Sequence, residues 1–177
     1  MSVLRQRFLS MVFKNDFGEA SLLYRIRGKK ARLSRWKSGT ISGMSSLLSS
    51  DQPICVAIII CNEIIEDKRT SNKTLVSLFN SIGVSSLPAT HPRLFLMASL
   101  TNLRDELPIS VSIKSHTGQE ILRINGKADG EGDPLAVIDL IVEVLGLSLQ
   151  EEGVHFVDIM TGDRLLGSRR FSVNHRG

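Results

Sequence analysis

The feature that most constrains this chain is Pro108-Ile-Ser-Val-Ser-Ile-Lys114, where apolar and polar residues alternate without a break. A period of two fits an extended strand with one face in a core, so Ile109, Val111 and Ile113 are expected to point inward and Ser110, Ser112 and Lys114 to face water. Similar short segments surround it. Ile54 to Cys61 is apolar on both faces, as a strand inside a covered sheet would be. Thr74 to Asn80, Arg93 to Leu100 and Glu120 to Asn125 are further β-branched or aliphatic runs bounded by turn clusters. Val154 to Met160 and Arg164 to Val173 read as a closing hairpin across Thr161-Gly-Asp163, with Phe171 and Val173 inward. Ala136 to Leu145 follows Asp133-Pro134, which could start a helix, but its β-branched alternation favours a strand. Gly126 to Pro134 reads as a solvated loop. The expectation is an all-β, two-sheet sandwich of about seven to eight strands.

Charge divides the chain at Met44. Residues 1–43 hold ten Lys and Arg against Asp16 and Glu19, a net +8, whereas the remainder holds twelve basic against sixteen acidic groups, a net −4. No apolar period is sustained in the first segment, so residues 1–43 are expected to be mostly unstructured and residues 44–177 to form the sandwich domain. Three readings of that segment stand: upstream sequence before a true start at Met44, a basic arm drawn to nucleic acid or anionic lipid, or an organellar transit peptide. A secretory signal is disfavoured because Arg5, Arg7 and Lys14 interrupt every candidate apolar core. The longest purely apolar stretches are far short of the roughly 18 residues of a membrane-spanning helix. Cys55 and Cys61 on one strand would stand about 20 Å apart, beyond disulfide reach, and at equal parity they read as buried structural thiols, which suits a reducing cytoplasm.

Cys61-Asn-Glu-Ile-Ile-Glu-Asp67, Thr70, Lys73 and Leu75 to Ile82 resemble a family of small, uncharacterised bacterial proteins. The likeness starts near Gln52 and extends through Gly153-Val-His-Phe-Val157 and Gly162 to Val173. It implies an immunoglobulin-like sandwich and carries no established activity. Two departures are Asn62, where an acid is usual, and His155, where an aromatic is usual.

Glu63, Glu66, Asp67, Thr70 and Lys73 form the densest polar cluster. The functional reading is a ligand or partner site at one end of the sandwich. The structural reading, which the residue types favour, is a tight turn in which Asp67 accepts backbone N–H groups and Lys73 offsets the acids. Asp129 to Asp133 lacks the acid ladder of a calcium loop, and Cys55, Cys61, His91, His116, His155 and His175 show no zinc spacing. No cofactor or metal is therefore expected. His155, between Val154 and Phe156, is expected to be packed or at a sheet edge rather than catalytic. With no phosphate loop or nucleophile elbow, the expectation is a non-catalytic cytoplasmic interaction module with a protein partner. The alternatives are a nucleic-acid-associated protein using the basic arm, and a small hydrolase or metal-dependent enzyme at the Glu63 to Lys73 end.

Overall fold

The computed structural model describes residues 9–15, 18–26, 52–130 and 133–175, and none of these is helical. Two sheets enclose one core. The first runs in the order β1 (Leu9–Asn15), β2 (Gly18–Ile26), β9 (Ile138–Leu149), β6 (Ala89–Thr101), β3 (Ile54–Glu66) and β4 (Lys73–Leu78). The second runs β5 (Ser81–Val84), β11 (Arg164–His175), β10 (Gly153–Thr161), β7 (Leu107–Lys114) and β8 (Glu120–Ala128). All neighbours are antiparallel except β5 and β11.

Alternation sets the core. Leu94, Leu96, Ala98 and Leu100 of β6 and Ile138, Leu140, Val142 and Val144 of β9 face Ile109, Val111 and Ile113 of β7, Val157 and Ile159 of β10, and Phe171 and Val173 of β11. Each such aliphatic side chain contributes about 1.5–3 kcal/mol by leaving water. Residues 136–145 accordingly contain a strand, not a helix. The facing reverses once in β9: Gly146, at φ +65°, stands opposite Pro92, which has no N–H to offer the ladder. Beyond it Leu147 and Leu149, rather than the even-numbered residues, enter the core.

Part of the outward side of the first sheet is also covered. The β3–β4 ladder skips the Asn62–Ser77 step, and Ser77 has φ +54°, a conformation that bends the hairpin. Past this step Ile64 and Leu75 pack with Cys61, Phe95, Ile141 and Met97 in a second apolar cluster. Lys73, at the far end of the hairpin, reaches Asp139 of β9. The hairpin thus folds back as an arm over part of the sheet that it extends, and of Ile54 to Cys61 only Cys61 lies beneath it; Ile54 and Val56 are exposed, so the strand is not covered on both faces as expected.

Several expectations need correction. Nine strands lie between Ile54 and His175, more than seven to eight, because β5 is short and β4 ends just before it. Within residues 1–43 the described residues form β1 and β2, so those two stretches are strands, and β2 pairs with β9 from Ala20↔Val144 to Ile26↔Ile138. A strand that docks on an existing edge can gain its backbone bonds without an amphipathic period of its own. The rest of that segment lies outside the described residues. Ser110 and Ser112 are buried rather than facing water. Cys55 and Cys61 lie on opposite sides of the sheet, because a bulge between Cys55 and Ala57 shifts the facing. Strand β8 runs on through Gly126 to Ala128, and a Cβ on Gly130 would collide with the Leu103 carbonyl oxygen, so this part of the expected solvated loop is packed.

Candidate functional site

At one end of the sandwich, the β7–β8 turn and the β9–β10 turn flank a recess of about 350 Å³. Ser115 and Gln119 come from the first turn, where Ser115 donates its N–H to the Gln119 carbonyl at 2.8 Å and Gly118 takes φ +84°. Ser148 comes from the end of β9, and Gln150 and Glu151 come from the β9–β10 turn that follows it. His155 of β10 also lines it.

His155 is the informative residue. Its side chain is fully buried and its ring lies 5.4 Å from that of Phe171. Nδ1 is 3.2 Å from the Gly153 carbonyl oxygen, whereas Nε2 has no hydrogen-bond partner among the described residues. Burial holds the imidazole below its ordinary pKa, so the ring is neutral. A neutral ring that donates from Nδ1 to a carbonyl leaves Nε2 as a bare acceptor. An acceptor left unmet in a buried position costs about 1–3 kcal/mol.

The neighbouring side chains are already engaged with one another. Thr117 Oγ1 donates to Glu151 Oε1 at 3.0 Å, Ser115 and Thr117 hydroxyls are 2.7 Å apart, and His116 Nδ1 lies 3.2 Å from the same carboxylate oxygen. The Ser115 hydroxyl, then that of Thr117 and the nearby His116, hold the Glu151 carboxyl below its ordinary pKa. Gln150 Nε2 donates to Ser148 Oγ at 2.6 Å, and Arg123 holds Glu120 through two nitrogens. This arrangement can accept and donate hydrogen bonds without presenting a prepared nucleophile.

The five residues singled out from the sequence lie elsewhere, on the arm. Asp67 Oδ1 accepts the N–H of Arg69 at 2.7 Å and of Thr70 at 2.9 Å, which lowers its pKa. Asn72 donates its N–H to Thr70 Oγ1. The expected turn is therefore present at Asp67. Lys73 does not offset the acids of that turn as expected: it donates to Asp139 Oδ2 at 2.6 Å, while Ser99 Oγ donates to Asp139 Oδ1 at 2.8 Å. Glu63 is exposed and Glu66 half-buried. None of the five lines the recess. Conversely, Ser115, Gln119, Ser148, Gln150 and Glu151 were not singled out, because each is an ordinary turn residue until two turns from distant parts of the chain meet.

Among the described residues no three His, Cys, Asp or Glu side chains converge as a metal site, and no helix is long and apolar enough to cross a membrane. Burial raises the pKa of both Cys55 and Cys61, and both thiols are free.

Residues 56–174 match the model of a family of unknown function, DUF6941. The chain belongs to that family. The DUF6941 region begins inside β3 and ends inside β11, so the arm and the recess both fall within it and β1 and β2 fall outside. No curated protein matches the chain. Among solved structures, a Pseudomonas fluorescens alkylpurine DNA glycosylase, AlkC, bound to DNA containing an abasic site analogue, is similar at 14% identity with a TM-score of 0.35. The likeness covers 66% of this chain and only 30% of that one, and at that level supports no inference about function.

Proposed function

We propose that this DUF6941 protein is a non-catalytic binding module that acts through the recess beside His155. The observation that carries the reading is a fully buried, neutral imidazole with an unmet acceptor, lining a recess of a size suited to a small molecule. Its neighbours support binding over chemistry. The Ser115 hydroxyl is engaged with Thr117 and Glu151 rather than with an imidazole base, and both thiols are pushed away from the reactive thiolate form. The two unbridged cysteines suit a reducing cytoplasm. Two face-to-face, mainly antiparallel sheets support the immunoglobulin-like assignment as part of the same proposal. The exposed side of the arm, with Glu63 and Ile65 outward beside Asp67 and Thr70, offers a second surface for a protein partner.

Incubation of the full chain with ester, phosphoester, peptide and glycoside substrates should give no turnover. Turnover abolished in Glu151→Gln or His155→Phe would overturn the reading and restore the hydrolase alternative.

A nucleic-acid role rests on a separate observation, the +8 charge of residues 1–43. It predicts DNA or RNA binding that weakens steeply with added salt and is lost from a chain beginning at Met44. Equal binding by both chains would dispose of it.

A further inference from the structure

We infer that the open edge of β11 carries a second site, one for a phosphate dianion, free or as a small phosphomonoester, set between Arg169 and Arg170. Strand β5 pairs with β11 only from Ser172↔Ser81 to His175↔Val84, so the residues of β11 before Ser172 have no paired strand on that side. The edge there borders a recess of about 510 Å³ whose lining includes Asn80, Val154, Ser168, Arg169, Arg170 and Ser172. Neighbouring residues of a strand point to opposite faces, and two such side chains reach one ligand only round an open edge. Both arginines line this recess. Ser172 donates its N–H to the Asn80 carbonyl at 2.9 Å, which fixes the direction of the open side, and the alternation of the strand turns the N–H of Arg170 the same way.

Charge selects the class of ligand. Arg169 is half-buried, and its guanidinium donates to the Ile58 carbonyl at 2.7 Å and to Asn80 Oδ1. Both acceptors are neutral. They orient the group between β11 and β3 but leave its positive charge without a carboxylate partner among the described residues, whereas charges taken partly out of water are ordinarily paired. Arg170 is exposed and has no side-chain partner among the described residues. Bracing the two sheets accounts for Arg169 and leaves Arg170 unexplained. No carboxylate lines the recess among the described residues, and Asp158, which accepts from Ser168, is offset by Lys114 at 2.8 Å. Two uncompensated guanidinium groups side by side match a dianion, and their planar N–H forks match the oxygens of a phosphate. Asn80 gives its Oδ1 to Arg169, which leaves its Nδ2 as a further donor. A cation meets like charge at this edge, and an apolar ligand leaves both guanidinium groups unpaired.

The test is a ¹H–¹⁵N NMR titration of the full chain at about pH 7.5, where a phosphomonoester is a dianion. The probes are inorganic phosphate, ribose 5-phosphate, dimethyl phosphate, succinate and a short single-stranded oligothymidylate. Inorganic phosphate or ribose 5-phosphate should give saturable shifts centred on the Asn80 side-chain amide, the Arg170 main-chain amide and the Nε–H signals of both arginines. Tighter binding of ribose 5-phosphate than of inorganic phosphate assigns the site to an ester, and the reverse order assigns it to the free ion; either supports the inference. Dimethyl phosphate, a monoanion, should bind more weakly than both. Arg170→Gln, at an exposed position that does not threaten folding, should leave the urea midpoint unchanged and weaken the dianion about tenfold, the factor expected for one lost charge-assisted hydrogen bond. Absence of saturable shifts with both dianionic phosphates overturns the inference, as does unchanged affinity in Arg170→Gln. Succinate binding as tightly as the phosphates overturns the phosphate class, and binding of the oligothymidylate alone replaces it with a nucleic-acid surface. The recess beside His155 shares no lining residue with this edge, so its reading stands or falls separately.

Discussion

At the scale of single residues, two histidines, His155 buried and His91 half-buried, make the fold sensitive to mild acid. His155 and His91 both sit below their ordinary pKa of 6.5 because burial disfavours the charged ring, and each stacks near a phenylalanine, Phe171 and Phe79. The unfolded chain therefore takes up protons that the folded chain resists. Their contribution to stability is complete above about pH 6.5 and is lost progressively as pH falls below it. The lowered pKa values of Glu151 and Asp67 act in the same direction at lower pH, contributing stability that fades once those carboxylates protonate. Urea midpoints taken from about pH 7.5 down to 5.5 should fall, and should fall less for His155→Phe. Identical slopes for the two proteins would show that the imidazole is not the sensor. A second residue-scale expectation concerns Gly130, where a methyl group would meet the Leu103 backbone. Gly130→Ala should cost about 3 kcal/mol or more in chemical denaturation, because a backbone carbonyl cannot turn aside as a flexible side chain can. A loss below about 1 kcal/mol would mean that the turn simply relaxes.

At the scale of elements, the arm is held down by a polar latch and an apolar seat together. Lys73 and Asp139 have side chains only 13% and 25% exposed, so their pairing is screened less than a surface bridge and more than a buried one. Lys73→Met should destabilise the protein by about 1–3 kcal/mol and speed hydrogen exchange at Ile64 and Leu75 first. The double variant Lys73→Met with Asp139→Leu should recover part of the loss, since neither charge is then stranded. A double variant as weak as the sum of the singles would argue that the pair does not act as a unit. The strands themselves were legible in the sequence: the period-two pattern at Pro108 to Lys114 and the closing hairpin at Val154 to Met160 and Arg164 to Val173 appear as β7, β10 and β11, with the expected inward residues Ile109, Val111, Ile113, Phe171 and Val173 buried, although Ser110 and Ser112 are buried as well. The irregular steps were not. The bulge at Cys55/Ala57, the bend at Asn62/Ser77 and the reversal at Gly146 each change which side chains share a face, and none alters residue composition enough to announce itself. The cluster from Glu63 to Lys73 was recognised as a turn around Asp67, yet its lysine partner lay on β9, 66 residues away. The recess was invisible for a related reason, since a site made by two turns has no spacing in the chain.

At the scale of the whole molecule, the edges of the sheets matter most. The outer edge of β8 carries Arg123 paired with Glu120 and Lys127 paired with Glu106, charges that discourage pairing with another chain. On the first sheet, β2 covers the side of β9 that β6 does not. A chain shortened to begin at Met44 should lose stability and self-associate through the uncovered β9, whose core-facing residues are Ile138, Leu140, Val142 and Val144. Sedimentation and thermal unfolding of the two lengths side by side provide the check. A monomeric shortened chain of unchanged stability would show that β1 and β2 are dispensable. The arm has a consequence at this scale too. Cys61 has no exposed surface and lies in the cluster formed with Ile64 and Leu75 of the arm. In a Cys55→Ala background its thiol becomes an internal clock: the rate at which an aromatic disulfide reagent modifies it reports how often the arm lifts, without any probe being added to the protein.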